Sequence, residues 1–195
     1  MNDRQSDMNR TTNETNVSVT LNLDGNGTTE VDTGIGFLDH LLVTLAHHAR
    51  FDLRLHCRGD LQVDDHHTSE DCGLVLGACI ERALGERRGI QRFGWALAPL
   101  DDALGRAAVD LGGRPFAVVE LGLQREKLGT LSCENIPHLL HAMATGARGC
   151  LHVDVLRGAN QHHRAEAAFK ATALALRYAL ARLDHDQVPS TKGVL

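Results

Sequence analysis

The sequence predicts an α+β fold made of two similar halves, in which each half places two helices on one face of a mixed sheet. Three observations predict it: an internal repeat through most of the 195 residues, strand-like alternation of apolar residues, and helical apolar stripes. A sheet that is apolar on one face must bury that face, and a helix with one apolar stripe can cover it. We therefore expect duplicated half-domains of two layers each.

The repeat is visible when the sequence is shifted against itself. A shift of 98 positions places "DHLLVTLAHHARFDLRL" over "PHLLHAMATGARGCLHV", so that His40 coincides with His138. A shift of 96 then superposes the two HHxxE segments that begin at His66 and His162. Upstream, "VSVTLNL" is aligned with "FAVVELGL" as equivalent strands. The change of two in the shift indicates a different loop length between the strand and the second helix of each half.

Apolar periodicity places the elements. We expect helices at about residues 36–48, 69–84, 134–147 and 164–183, with a strand over residues 51–57 after the first helix. Asp65, Thr68 or Ser69 is suited to cap the second helix. Residues 1–9 are predicted to be a disordered tail, residues 10–94 the first half, and residues 95–195 the second half of one compact catalytic unit, without a linker.

Composition excludes several classes of protein. With 43% hydrophobic and 23% charged residues and a formal charge of -5, the chain is typical of a globular protein and lacks the basic face that nucleic acid requires. No apolar run is long enough to span a bilayer, and "MNDRQSDMNRTTNET" lacks the apolar core of a signal peptide. We therefore expect a cytoplasmic protein that binds neither nucleic acid nor membrane. The five cysteines show no CxxC spacing, which favours buried free thiols over disulfides or structural zinc.

The repeated HHxxE pattern indicates metal binding. On a helix, a residue and its i+4 partner share a face, so His66 can act with Glu70 while His67 turns towards another centre. Either His40 or His138 alone is more often a capping or packing residue than a ligand, but the repeat supplies six histidines and two glutamates. This set suits two sites, each of three imidazoles and one carboxylate, for Mn, Fe, Co or Zn.

Several motifs together resemble one enzyme family. "TGIGFLDHLL", "DDHHTSEDCGLVLG", "RFG", "PLDDAL", "DLGGRP", "ANQHHRAEAAFKA" and "PSTKGVL" are similar to the imidazoleglycerol-phosphate dehydratases, over about residues 10–195. The resemblance implies a homo-oligomer of 24 subunits built from trimers, with two Mn²⁺ per subunit, although other divalent transition metals are possible. It also implies two ligand sets: His40, His67, His162 and Glu166 for one metal, and His66, Glu70, His138 and His163 for the other.

The same resemblance implies a reaction in histidine biosynthesis. Imidazoleglycerol phosphate would lose water to give imidazole-acetol phosphate, with the ring held between two metals as imidazolate and acting as the electron sink. Glu14 matches the family's N-terminal glutamate and is the predicted base and substrate contact. Asp101 and Asp102 are assigned a supporting role. The predicted phosphate-binding residues are those that match the family's anion-binding positions: Arg92, Arg114, Ser190 and Lys192.

Two other functions fit part of the pattern. A dinuclear metallohydrolase would use the same metals to make hydroxide, but such centres are commonly bridged by carboxylates and this set has only one carboxylate for each metal. A metal-storage or metal-sensing assembly would need the ligands but would leave Glu14, Arg92, Arg114 and "STKG" without a role.

Overall fold

The computed structural model describes residues 4–193, which form two four-stranded sheets, one two-stranded sheet and four helices. The elements of the first half are β1 (Gln5–Thr11), β2 (Thr15–Asn22), β3 (Thr29–Asp32), α1 (Gly36–Ala49), β4 (Asp52–Gly59) and α2 (His66–Leu84). Those of the second half are β5 (Phe93–Leu100), β6 (Ala103–Asp110), β7 (Phe116–Glu120), β8 (Lys127–Leu128), β9 (Leu131–Ser132), α3 (Asn135–Gly146), β10 (Cys150–Arg157) and α4 (Gln161–Ala179).

Both large sheets have the same topology. Their orders are β1-β2-β4-β3 and β5-β6-β10-β7, with antiparallel pairs throughout except for the last pair of each sheet, which is parallel. The predicted duplicated α+β fold with mixed sheets is confirmed. The equivalence of the two aligned strands is wrong, because "VSVTLNL" forms β2, whose counterpart is β6, whereas "FAVVELGL" begins with β7, the counterpart of β3.

The helices lie between the two sheets and join the halves. α2 packs on its own sheet and against α3, and α4 packs on its own sheet and against α1. Gly73 and Gly77 of α2 face backbone atoms of α3, and a Cβ at Gly77 would overlap the carbonyl oxygen of Met143. In return, a Cβ at Gly146 would overlap the carbonyl oxygen of Leu74. Glycine therefore allows these two helices to approach each other closely.

The N-terminal segment is ordered where it is described. The prediction of a disordered tail over residues 1–9 is wrong from Gln5 onwards, because Gln5–Thr11 forms edge strand β1, paired with β2; residues 1–3 lie outside the described residues. This strand is polar, and Ser6 is its only fully buried residue, so it lacks the alternation that would indicate a strand. The predicted boundary between residues 94 and 95 falls inside β5, since the halves meet in the segment that follows α2.

The helix limits agree with the predictions at most ends. α1 and α3 lie within one residue of their predicted limits, whereas α2 and α4 begin three residues earlier than predicted, at His66 and Gln161, and α4 ends at Ala179. Asp65 is the N-cap residue of α2, but its carboxylate accepts hydrogen bonds from Ser132 rather than from its own helix. All five cysteines are free thiols; four are buried and Cys150 is half-buried.

Candidate metal centres

Each of the two helix pairs that join the halves carries a cluster of two histidines and one glutamate. The A cluster contains His40 of α1 with His162 and Glu166 of α4; the B cluster contains His66 and Glu70 of α2 with His138 of α3. Within each cluster, one potential ligand atom of every residue lies within 4.8 Å of the others. Each cluster thus combines a histidine and a glutamate near the start of a helix in one half with a single histidine from the other half.

Local hydrogen bonds fix where the HHxxE helices begin. The Asn160 side-chain oxygen accepts hydrogen bonds from the backbone N–H groups of His162 and His163, and Asp64 accepts one from His66. These bonds satisfy backbone donors that the first helical turn leaves without intrahelical partners. They place both histidine pairs in the first turn, where the glutamate four residues after the first histidine shares its face.

The A cluster is centred on the carboxylate of Glu166. Its Oε2 lies 3.1 Å from Nε2 of His162 and 3.4 Å from Nε2 of His40, and its Oε1 accepts a hydrogen bond of 2.8 Å from Lys170. Burial opposes ionisation, but the hydrogen bonds from Lys170 and His40 outweigh it, so the pKa of Glu166 lies below its ordinary value. The carboxylate is therefore ionised at neutral pH, as a metal ligand must be.

The B cluster leaves one buried nitrogen without a hydrogen bond. Nε2 of His138 lies 3.4 Å from Oε1 of Glu70, and among the described residues it has no hydrogen-bond partner although the atom is buried. The rings of His66 and His138 stack with their centroids 4.7 Å apart, and Nδ1 of His66 lies 3.2 Å from the side-chain oxygen of Asn135. Buried polar atoms normally have partners, so this nitrogen is suited to binding a ligand.

The second histidine of each pair points away from the adjacent cluster. The ring planes of His66 and His67 are inclined by 78°, and those of His162 and His163 by 90°. Nδ1 of His67 lies 3.1 Å from Asp60, and Nδ1 of His163 lies 2.6 Å from Asp102. Within this chain, neither His67 nor His163 lies near the other members of the ligand set that the family resemblance implies for it.

Both of these histidines lie among carboxylates. Nε2 of His67 lies 3.7 Å from Oε1 of Glu14, and Nε2 of His163 lies 3.8 Å from Oδ2 of Asp101. The Asp60 carboxylate raises the pKa of His67, partial desolvation opposes this, and Glu14 adds to the rise. Glu14 itself is half-exposed in the turn between β1 and β2, so its carboxylate is accessible to a small molecule.

The predicted phosphate-binding residues lie at the end of the second sheet where β5 and β7 begin, away from Asp102. Arg92 directly precedes β5; its guanidinium forms two hydrogen bonds with Asp110 and a third with the carbonyl oxygen of Pro189, at 2.7 Å. Ser190 therefore lies beside Arg92, and its hydroxyl accepts a hydrogen bond from the backbone N–H of Lys192. Arg114 is exposed near the start of β7, in the same region.

The structure brings the predicted metal ligands together in two groups of three, and His67 and His163 stand outside these groups. Sequence reasoning missed several polar side chains that pair with the predicted ligands, among them Asp60, Asn135 and Lys170. Lys170 follows Glu166 by one helical turn, so its position was open to prediction from spacing. Asp60 and Asn135 approach their histidines from a turn and from another helix, which spacing does not reveal.

The fold and the clusters define a class: duplicated α+β proteins with two histidine–glutamate clusters at the contact between their halves. The sequence model of one family, described as imidazoleglycerol-phosphate dehydratase, matches residues 33–176. The chain belongs to the imidazoleglycerol-phosphate dehydratase family.

Individual relatives agree with this assignment. The imidazoleglycerol-phosphate dehydratase of Candida glabrata is 54% identical, over 95% of this chain and 97% of the relative. That of Saccharomyces cerevisiae is 60% identical, over 85% of this chain and 75% of the relative. The Staphylococcus aureus enzyme structure matches with a TM-score of 0.82 and 32% identity, covering 91% of this chain and 99% of that one. The Pyrococcus furiosus structure, a complex with (S)-C348, matches with a TM-score of 0.84 and 36% identity, covering 96% and 100%.

Proposed function

We propose that this chain converts imidazoleglycerol phosphate to imidazole-acetol phosphate and water, as a metal-dependent step of histidine biosynthesis. The observation that carries the proposal is the pair of histidine–glutamate clusters, each built from both halves of a chain of this family. Among residues 4–193, no helix has the length and hydropathy needed to cross a membrane. The cytoplasmic location expected from the sequence stays a prediction.

The residues present fit a divalent transition metal. Imidazole nitrogens and one carboxylate form a donor set of borderline softness, which suits Mn²⁺ and its neighbours in the first transition series. The buried Nε2 of His138 forms no hydrogen bond within residues 4–193. In the proposal, the A cluster is completed by His67 and the B cluster by His163. Because these histidines lie outside the clusters of their own chain, a second copy would supply them.

The chemistry requires an electron sink and a base. The hydrogen that is lost sits on a carbon without an adjacent carbonyl group. The imidazole ring of the substrate must therefore donate electron density as the hydroxyl of the neighbouring carbon leaves with its bonding pair, and must accept electron density again as the proton is removed from carbon. Bound metal ions would supply Lewis acidity to that ring. Glu14 is the proposed base: its exposed carboxylate accepts the proton from carbon, and the resulting enol tautomerises to the ketone product.

The positions of the phosphate residues support an assembled site. Arg92 and Asp102 stand at opposite ends of β5, and eight strand residues at about 3.3 Å each separate them by roughly 26 Å. A substrate of this size cannot reach from Arg92 to the His163 region of the same chain. Metal and phosphate residues from different copies would therefore form each site, so a homo-oligomer is part of the proposal; 24 subunits built from trimers is the number that the family resemblance implies.

An apolar surface on the second sheet supports assembly. Phe93, Trp95 and Leu97 project outwards as an apolar stripe along edge strand β5, and Trp95 is 72% exposed. The exposed Phe116 lies on the opposite edge strand, β7. Large contiguous apolar patches are uncommon on monomeric proteins and mark interaction surfaces. A second copy of this chain is the proposed occupant of this surface.

A single assay tests the activity. The protein is stripped with EDTA, reloaded with Mn²⁺ and incubated with imidazoleglycerol phosphate, while ketone formation and inorganic phosphate are measured in parallel. We expect ketone from the reloaded protein only, with no phosphate release. Phosphate release without ketone would instead identify a metallohydrolase, and metal binding without turnover would identify a storage or sensing protein. His67→Ala should lose metal and activity, whereas His56→Ala, which removes a partly exposed histidine of the first sheet, should change neither.

Arg114 offers the cleanest test of phosphate binding, because Arg92 already forms structural hydrogen bonds. We expect Arg114→Ala to lower kcat/KM by about ten- to a hundredfold, since charge-assisted bonds to phosphate are worth roughly 1.5 to 3 kcal/mol. Arg114→Lys should restore only part of the loss, because a point charge lacks the fork of the guanidinium. Inhibition constants for inorganic phosphate measure the contact directly, with Arg54→Ala as the matched control. Equal constants for Arg114→Ala and the parent protein would remove Arg114 from the site.

A further inference from the structure

Two aspartates hold the histidines that stand outside the clusters. The carboxylate of Asp60 lies 3.1 and 3.2 Å from Nδ1 of His67, and that of Asp102 lies 2.6 Å from Nδ1 of His163. An ionised carboxylate only accepts hydrogen bonds, so each of these nitrogens carries a proton and donates it. The other nitrogen, Nε2, then has its lone pair directed away from the aspartate.

Each aspartate is fixed by backbone contacts. Asp102 accepts hydrogen bonds from the backbone N–H groups of Ala159 and Asn160, at the start of α4. The backbone N–H of Asp60 donates to the carbonyl oxygen of Glu14, at 3.0 Å, and its carbonyl oxygen accepts from Val63, at 2.7 Å. The carboxylate of Asp102 is therefore held directly, whereas for Asp60 the backbone that carries the side chain is held in its turn.

The two aspartates do not occupy equivalent positions of the repeat. In the strand order, β1 and β2 correspond to β5 and β6 with a shift of 88 residues, so that the counterpart of Asp102 in the first half is Glu14. Asp60 instead follows β4, where the second half has Gly158 after β10. The same contact thus arises from different strands, and it is not a passive remnant of duplication.

We propose that Asp60 and Asp102 are positioning residues, which fix the rings of His67 and His163 so that each presents Nε2 to a metal ion. The inference rests on the proposed function, because it takes these histidines as metal ligands. A second partner on the far nitrogen commonly sets the tautomer and orientation of a ligating histidine and raises its basicity. In the first half, Asp60 performs this role and leaves Glu14, at the position of Asp102, free to act on the substrate.

The test measures metal affinity and does not depend on turnover. Mn²⁺ binding to Asp60→Asn, Asp102→Asn and the parent protein is compared by competition with a fluorescent chelator. We expect each variant to bind one of its two ions about ten- to a hundredfold more weakly. Asp32→Asn, which removes an exposed carboxylate paired with Arg58, is the matched control and should leave both affinities unchanged.

Two further variants, His67→Ala and His163→Ala, distinguish failure of the positioning role from failure of the metal centres themselves. If His67→Ala and His163→Ala weaken binding while both aspartate variants bind like the parent, the positioning role is overturned and the metal centres stand. If the histidine variants also bind like the parent, the ligand sets are wrong and the positioning role falls with them.

Two measurements on the metal-free protein distinguish a positioning role from a purely structural role. In the metal-free protein, imidazole ¹⁵N chemical shifts should show His67 protonated on Nδ1 in the parent and a mixture of tautomers in Asp60→Asn. The metal-free Asp60→Asn variant should unfold at the same temperature as the parent, because that carboxylate contacts only His67 among the described side chains. Unchanged tautomers, or a fall in unfolding temperature that accounts for the lost affinity, would overturn the proposal.

Discussion

The two halves share a topology but differ in the outward faces of their sheets. Edge strand β1 presents polar side chains at Gln5, Asp7 and Asn9, and the same positions of β5, 88 residues later, present Phe93, Trp95 and Leu97. The inward faces of both sheets remain largely apolar. Duplication therefore preserved the faces that the helices cover, while the outer faces diverged according to what surrounds them.

The turn that follows these edge strands differs as well. Glu14 in the first half and Asp102 in the second half occupy equivalent positions. The carboxylate of Asp102 accepts hydrogen bonds from the Asn160 N–H and the His163 ring, and these bonds hold its pKa well below the ordinary value. Glu14 keeps an exposed carboxylate near the Nε2 of His67. One position of the repeat thus carries a carboxylate held by hydrogen bonds in one half and an exposed carboxylate, the proposed base, in the other.

The largest expected effect tests this contrast between the turns. Glu14→Gln preserves size and removes the proton acceptor, so we expect turnover to fall by about 10²- to 10⁴-fold while metal content and assembly stay unchanged. Asp102→Asn should lower metal affinity instead. Steady-state kinetics and metal analysis of both variants measure the difference. If Glu14→Gln lost metal as Asp102→Asn does, Glu14 would be a ligand or a structural residue.

The next effect concerns the outer faces. Trp95→Glu places a charge on the apolar surface of the second sheet, so the assembly should dissociate into smaller species, because a buried unpaired charge costs more than the contact contributes. The fold of the single chain should tolerate this change at an exposed position. Sedimentation velocity measures the size, with Asp7→Asn on the polar face as the control. An unchanged sedimentation coefficient for Trp95→Glu would exclude this surface from the interface.

A third effect concerns the helix contacts between the halves. α2 and α3 approach through glycines, so Gly77→Ala forces a methyl group into the backbone of α3 and should lower the free energy of unfolding by about 1–3 kcal/mol or more. Gly36→Ala at the start of α1 meets no atom within 4 Å and should be neutral or slightly stabilising. Urea unfolding of both variants gives the comparison. Equal stability of the two would mean that α2 and α3 do not pack this closely in solution.

The smallest effect is a pH dependence that involves both halves. Asp24 of the first half accepts hydrogen bonds from Arg4 and from Arg182, which follows α4; the bond to Arg4 has the largest effect, and the pKa of Asp24 falls from 3.8 to about 2. A carboxyl whose pKa is lower in the folded protein stabilises the folded state at pH values above its unfolded pKa. This stabilisation is lost as the pH falls through the folded pKa. Unfolding free energies between about pH 4 and pH 2 should therefore decrease less steeply in Asp24→Asn than in the parent. Identical slopes would show that this pair does not contribute.

Strong local patterns predicted most of the fold. α1 and α3 were placed within one residue because their apolar stripes are regular, and β4 because it alternates strictly. β1 was missed since an edge strand with a polar outward face needs few apolar residues. The strand alignment failed because β2 and β7 are both rich in strand-forming apolar residues, and such composition gives no information about a strand's neighbours in the sheet.

The sequence by itself determined the chemistry of the clusters. The HHxxE repeat predicted the candidate donors, and its helical spacing separated the two histidines of each pair, because neighbouring residues on a helix diverge by about 100°. The helical spacing did not say which donors meet, and only the tertiary structure showed that His67 and His163 lie outside the two groups of their own chain. His40 joins α4 and His138 joins α2 because helices from opposite halves pack against each other, and the turns after β4 and β5 bring Asp60 to His67 and Asp102 to His163. Such contacts depend on long-range packing, which local periodicity does not encode.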